Sequence, residues 1–402
     1  MKKLLLLGGS RYLQPVIEKA RKLGVYTITC DYLPNNIAHR LSDEYWNISI
    51  TDKEKVLEKA KKRGVSGVMS FACDPGVVTA AYIAEELGLP FQCSYEATTI
   101  LQDKGKFREF LSKNGFNVPH AKRYSDPKEP YKDFNYFTWP VIVKPVDSAG
   151  SKGVTKVDEP EQLAEAIDNA RKCSLSGSYI IEDFIVFEGY HSSADLFTVE
   201  GKLEFVTFSD QLFDATAENP YTPSLIIWPS TMDKDHQMTL TSELQRLMSL
   251  LEMKTGIYNV ETCVGIGGIP FIMEVSPRGG GCEIAQLQDM MYGVDLIENE
   301  VRKAVGLPLL DIDKKQCKEH WCEMVVHAQT QQQGVLNRIV IDSEIEQNCI
   351  VHKDILAKKG DVIQPFTGAN MSLGDMFLRF DTREELDATM GNSSEWLRIE
   401  LE

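Results

Sequence analysis

The stretch VIVKPVDSAGSKGV, residues 141–154, carries a lysine out of an apolar run and then spends more small, hydroxylated and flexible residues than a turn requires. An ammonium on such a strand is partly desolvated, which is costly unless it faces an anion, so Lys144 reads as a phosphate partner. The loop with Ser148, Gly150, Ser151 and Gly153 can bring backbone N–H groups and hydroxyls against phosphate oxygens, because glycine lets the backbone approach closely. It is not a Walker loop, since no GK[ST] closes it and no helix follows at once. Three other groups stand in order along the chain: Asp103-Lys104, then Glu182-Asp183-Phe184-Ile185 at a strand end, then Glu261 with Glu274, Ser276 and Arg278 on a hairpin. Two carboxylates flanking a hairpin tip converge on adjacent strands, as a Mg²⁺ ion shared with phosphate oxygens needs. Each piece alone is weak. A lone lysine is usually a solvated surface charge, and a serine–glycine loop is usually only a turn.

The elements that would position these groups begin with strict alternation. KLLLLGGS, VYTITCDY and SGVMSFACD read as strands, and QPVIEKARKLG, KEKVLEKAKKRG and PGVVTAAYIAEELG as helices, so residues 1–95 form a small doubly wound domain with a parallel sheet. Gly8, Gly9 and Asp31 only partly fit a dinucleotide fingerprint: the glycines are adjacent and the third is missing. Beyond Tyr95, YEATTILQDKGKFREFLSKNG reads as one helical segment and EPEQLAEAIDNARK as another helix. YIIEDFIVF reads as a strand, and two antiparallel strands flank the Glu200–Gly201 turn. HQMTLTSELQRLMSLLEMKTG reads as a long helix leading into the glycine-tipped hairpin YNVETCVGIGGIPFIMEVSPRGGG. The tail after about Leu310 has strand-like pieces such as CEMVVHAQ and a final helix near TREELDATM.

Composition sets bounds on partners. The chain has 402 residues, and 43 Lys and Arg against 59 Asp and Glu leave a formal charge of −16, which argues against a nucleic-acid surface. Any anionic ligand must therefore meet a local positive site. Nine cysteines without a CxxC pair point to reduced thiols in a cytoplasmic protein, neither disulfide-framed nor zinc-bound. The apolar start MKKLLLLGGS is shorter than a signal-peptide core, and no run approaches the ~20 apolar residues of a membrane span.

Taken together, the four groups resemble the ATP-grasp superfamily, which includes carbamoyl-phosphate synthetase, biotin carboxylase, D-alanine–D-alanine ligase and the L-amino acid ligases. The resemblance runs from about Tyr95 to Leu307. It implies an α/β (α+β) architecture: a pre-ATP-grasp domain at 1–95, an ATP-grasp core at 96–308 with a lid at about 122–185, and a strand-rich α+β C-terminal module at 309–402. It implies ATP and Mg²⁺ (or Mn²⁺) as cofactors. In ATP binding it assigns Lys104 and Lys144 together with Ser148, Gly150, Ser151 and Gly153 of the loop. Glu182 would accept from the adenine amino group, with Asp183 beside it and the backbone of Phe184 and Ile185 completing the edge.

His191 falls where many relatives carry a ribose-binding acid, with Glu188 and Tyr190 as alternatives if the register slips. Glu261 and Glu274 would bind metal, with Ser276 where an asparagine is usual. Arg278 would face the transferring phosphoryl group and share catalysis with Lys144, and GGGCE would form a substrate-facing loop. The implied reaction joins a carboxylate to an amine through an acyl phosphate. Its partners are small molecules, without nucleic acid or membrane, and the oligomeric state stays open, with a homodimer as one option because relatives are often dimers. The segments VVHAQTQQQGVLNRI and LAKKGDVIQPF resemble the L-amino acid ligase branch. Alternatives are a bicarbonate-phosphorylating enzyme like biotin carboxylase or carbamoyl-phosphate synthetase, and an ATP-binding subunit or sensor without turnover.

Overall fold

In the computed structural model, which describes residues 1–328 and 333–402, Leu4–Leu7 are all fully buried. They form most of β1 (Lys3–Leu7), a strand with helices on both faces and so no solvent side. With β2 (Tyr26–Cys30), β3 (Glu44–Trp46) and β4 (Gly67–Ser70) it makes a parallel sheet in the order β3-β2-β1-β4. The helices α1 (Gln14–Lys22), α2 (Ala38–Leu41) and α3 (Lys53–Arg63) connect these strands, and α4 (Asp74–Leu87) follows the last. The third strand, β3, escapes sequence reading because three residues are too few to display a period. Asp74, read above as a strand end, is instead the first residue of α4, with proline next to it as helix starts favour.

The helical segment from Tyr95 is two helices, α5 (Tyr95–Gln102) and α6 (Lys104–Lys113). Asp103 breaks it by leaving helical geometry (φ −110°, ψ 108°), and its carboxylate accepts from the Lys106 N–H at 3.1 Å. This cap puts Lys104 at the head of α6, where its backbone N–H donates to the Val146 carbonyl at 3.0 Å. The two lysine regions are thereby stitched together.

A second sheet of β5 (Ala121–Tyr124), β6 (Val141–Pro145), β7 (Thr155–Val157) and β8 (Tyr179–Asp183), in the order β5-β8-β6-β7, is antiparallel throughout. Helix α7 (Leu163–Cys173) covers it, preceded by a 3₁₀ turn at Pro160–Gln162, and the pair encloses its own core of Val141, Val143, Leu163, Ile167, Tyr179 and Ile181. The strand expected over YIIEDFIVF stops at Asp183. The Phe184 N–H turns aside to the Pro140 carbonyl (3.0 Å), and the chain resumes as β9 (Phe187–Val199) in another sheet. Residues 184–186 therefore join this sheet to the next.

The body is a nine-stranded sheet. Its remaining strands are β10 (Lys202–Phe205), β11 (Asp210–Phe213), β12 (Pro223–Trp228), β13 (Gly256–Gly265), β14 (Ile269–Ser276) and β15 (His320–Val326), with β17 (Ile350–Ile355) and β19 (Gly374–Phe380). They run β14-β13-β9-β11-β12-β15-β19-β17, with β10 on β9. The short sheet β18-β16-β20 contains β16 (Gly334–Ile341), β18 (Val362–Ile363) and β20 (Leu397–Leu401). Pairing of β12 with β15, Leu225 opposite Met324, carries the main sheet across the boundary expected near residue 308. The C-terminal strands thus extend the body. Helices α8 (Lys234–Leu250), α9 (Ile284–Tyr292) and α10 (Leu296–Ala304) complete it. Part of the segment VVHAQTQQQGVLNRI, residues 329–332, lies outside the described residues. All nine cysteines are free, and no helix among the described residues is long and apolar enough to cross a membrane.

Candidate active site

The hairpin β13–β14 sets Glu261 directly opposite Glu274. Burial, and then the neighbouring Glu274 charge, push the Glu261 carboxyl up to about 7, and Lys104, Lys144 and Arg278 pull the other way. One carboxylate thus lies within electrostatic reach of the other four charged groups singled out in the sequence. Lys104 reaches Glu274 at 3.1 Å and donates to the Ser148 carbonyl at 3.2 Å, bridging the carboxylate pair and the lid loop. Burial alone would lower its ammonium, but Glu274, with Asp74 and Glu261 behind it, holds it above its usual range. Among the described residues no group of three His, Cys, Asp or Glu is placed to hold a metal. The acidic pair nonetheless fits a Mg²⁺ that takes its other ligands from phosphate and water, because a cation between the two would relieve the repulsion that raises Glu261.

Ser276 is fully buried, donates to Asp74 at 2.9 Å and accepts from Gln102 at 2.9 Å. Its hydroxyl is committed to positioning Asp74 and keeps one lone pair. Arg278 is held by that same Asp74 in a two-point grip, Nε to Oδ1 at 2.9 Å and the terminal nitrogen to Oδ2 at 2.7 Å. Burial opposes the charge on each, and each keeps it because of the other: Asp74 stays below the usual carboxylate range and Arg278 above its own. The N-terminal domain therefore supplies the carboxylate that aims the arginine.

Gly280, just after Arg278, is fixed by Asp195 of β9, which is fully buried and accepts the Gly280 N–H with both oxygens at 2.8 and 2.9 Å. Burial raises the Asp195 carboxyl to about 6, against these bonds and that from Asn259.

Glu182 does not offer the adenine-accepting oxygen expected of it. Only 1% of it is exposed, Lys144 donates to one oxygen at 2.8 Å, and the Arg108 guanidinium lies 2.8 Å from the other without hydrogen-bond alignment. Burial would raise this carboxyl, but Arg108 and Lys144 hold it down at about 2. It orients Lys144. Asp183 is likewise engaged, with His120 at 2.8 Å and the Thr138 N–H at 2.8 Å, tying together the lid's outer edge. Phe184 gives its N–H to Pro140, whereas the Ile185 N–H makes no backbone hydrogen bond among the described residues. His191 on β9 is packed edge-on by Phe187 and Phe213, and burial, then Lys144, lower it to about 4, so it is neutral.

In the 148–153 loop Gly150, Ser151 and Gly153 all adopt positive φ, at 67°, 57° and 73°. Ser151 pays for the left-handed backbone with two bonds: its hydroxyl donates to the Tyr221 carbonyl at 2.8 Å, and its carbonyl accepts from the Asn219 amide at 3.0 Å. The same amide donates to Thr367 at 3.1 Å, and the Asn219 N–H to Phe366 at 3.3 Å.

Asp74, Arg108 and Asp195 are the functional residues that sequence reasoning missed. Asp195 lies four residues after His191, while nothing local marks the other two.

A family model described as an ATP-grasp domain matches residues 101–282. The chain thus carries an ATP-grasp domain over these residues. Among curated relatives, a formate-dependent phosphoribosylglycinamide formyltransferase of Synechococcus sp. (strain WH7803) is 26% identical over 314 residues, covering 76% of this chain and 77% of that one. Its counterpart from Haloquadratum walsbyi is 26% identical, covering 77% and 75%. Among solved structures, an L-amino acid ligase from Bacillus licheniformis superposes with a TM-score of 0.81 at 19% identity, covering 100% of this chain and 99% of that one. A phosphoribosylglycinamide synthetase from Anaerococcus prevotii gives 0.77 at 21%, with both chains fully covered.

Proposed function

We propose that this chain joins a carboxylate to an amine at the expense of ATP. A carboxylate oxygen attacks the γ-phosphorus, the bond to ADP breaks, and an acyl phosphate forms. The amine lone pair then attacks the acyl carbon, phosphate leaves, the nitrogen sheds its proton, and an amide results. Lys104, Lys144 and the Ser148–Gly153 loop neutralise and cradle the phosphates, and Arg278 stabilises charge developing on the transferred group. Glu261 and Glu274 would hold Mg²⁺, which when bound polarises phosphate oxygens. The Ile185 N–H is available to the adenine edge, and Glu182 acts one step removed by orienting Lys144.

The observation that carries this reading is the shared electrostatic neighbourhood of Glu261, Glu274, Lys104, Lys144 and Arg278 beside the lid loop. The formate named for the curated relatives makes small carboxylates the first to try. The test is ADP release with Mg-ATP over a panel of paired carboxylic acids and amines, with mass spectrometry of any product. A condensed product accompanying ADP supports it. No ADP release under any pairing would leave the non-turnover sensor as the better reading.

A further inference from the structure

Beside the reaction centre lies a group of carboxylates that this mechanism leaves unused. In the main sheet Asp375 of β19 stands directly opposite Asp354 of β17, a like-charge pair that costs energy unless compensated. On β15, Glu323 pairs with Phe377 and Val325 with Asp375, so Glu323 shares the face and lies diagonal to Asp375. Glu323 is fully buried, and among the described residues neither of its carboxylate oxygens has a hydrogen-bond partner. Its electrostatic neighbours are Asp375, Glu283 and Arg11.

Against this face the N-terminal domain brings Arg11, which ion-pairs with Asp375, lies 3.7 Å from Asp354, and donates to Tyr12 at 3.0 Å. From the other side come Cys282 and Glu283, both in the left-handed region at φ 55° and 53°, with Glu283 3.2 Å from His352. Four carboxylates thus face one guanidinium and one imidazole. Arg11 also donates to Ser372 at 3.3 Å, and Ser372 lines a cavity of about 390 Å³ with Leu356, Ala357 and Leu373.

A carboxylate sealed from water without a donor is a strained arrangement unless something else supplies the donor. Glu283 is five residues from Arg278, so their Cα atoms are at most ~18 Å apart. We propose that the Glu323–Asp375–Glu283 face binds a cationic group, an ammonium or guanidinium, of a substrate whose reacting end lies at Arg278. The substrate class is then a basic amino acid or a related diamine. This inference rests on the ligase reading, yet its binding test does not need turnover.

The experiment is calorimetric titration of the full chain with L-lysine, L-arginine and putrescine, against L-leucine and L-glutamate, without nucleotide. Glu323→Gln is the partner variant. Burial and then Asp375 raise the Glu323 carboxyl well above its usual range, so the isosteric amide should leave the melting temperature equal or higher, and a control titration with ATP checks that the nucleotide site is intact. At least one cationic probe is expected to bind ten-fold or more tightly than leucine and to lose ten-fold or more in Glu323→Gln, with ATP affinity unchanged. Equal binding of all probes, or cationic binding that survives both Glu323→Gln and Asp375→Asn, overturns the inference. Selective cation binding without ADP release in any pairing would sink the ligase reading and leave this site standing. Turnover of cationic and uncharged amines alike, unaffected by Glu323→Gln, would do the reverse.

Discussion

Glu182→Gln is the sharpest perturbation the site offers, because it removes one charge from between two buried cations and nearly preserves shape. Lys144 and Arg108 each lie 2.8 Å from this carboxylate, and the glutamate is 1% exposed. Against the cost of burial, the cations lower it from the ordinary 4.5 to about 2. That drop, at ~1.4 kcal/mol per pKa step, corresponds to ~3 kcal/mol of stability carried by the ionised form. The variant also leaves two buried cations uncompensated, so the measured loss should be ~3–5 kcal/mol.

The sign of the pH dependence follows. The folded-state value is depressed, so the contribution is fully present above about 4.5 and fades as pH falls toward about 2. Urea denaturation of both proteins between pH 7 and pH 3 measures it: a constant gap near neutrality that narrows below pH ~4.5. Pairing the variant with Arg108→Met should give a coupling of ~1–3 kcal/mol. A gap under ~1 kcal/mol at pH 7, or one that does not narrow in acid, would refute the assignment of Glu182 as the lysine's counter-ion.

Other outcomes bear on the proposed chemistry. Arg278→Ala should lower kcat by ~10³-fold or more while ATP affinity by calorimetry stays within ~3-fold, and an equal loss of both would count against its phosphoryl role. Asp74→Asn keeps an acceptor for Arg278 but loses the charge, so kcat should fall ~10-fold with little change in KM for ATP, measured by steady-state ADP release. In Gly280→Ala the new Cβ would meet Asn259 Nδ2 at 2.7 Å and Asp195 Oδ1 at 2.9 Å, displacing the loop after Arg278. Turnover should drop while far-UV circular dichroism is unchanged. Glu274→Gln should raise the Mg²⁺ concentration for half-maximal turnover by ~10-fold or more, read from a MgCl₂ titration at fixed ATP.

Lys104, Lys144, the Ser148–Gly153 loop and the Glu261/Glu274 hairpin were legible in the sequence because each sits in a local pattern whose period or composition states its context. The alternating N-terminal domain was legible for the same reason. What stayed hidden were the partners. Asp74 and Arg278 are 204 positions apart, and a lone acid before a proline reads only as the boundary of an element. Arg108 lies on an ordinary amphipathic helix, and only folding brings α6 under β8 to meet Glu182. That omission is why Glu182 was expected to face the nucleotide. The single helix read from Tyr95 and the single strand read through Phe184 failed for a related reason. A side-chain cap at Asp103 and a diverted N–H at Phe184 override otherwise continuous propensities.

Asn219 touches the lid loop with the same amide that touches Thr367. Any outward movement of Ser151 must stretch this clasp or drag on the connection between β18 and β19. A molecule that bound this connection and thereby raised nucleotide affinity would, by reciprocity of linked equilibria, be gripped more tightly by the same factor once the nucleotide was seated.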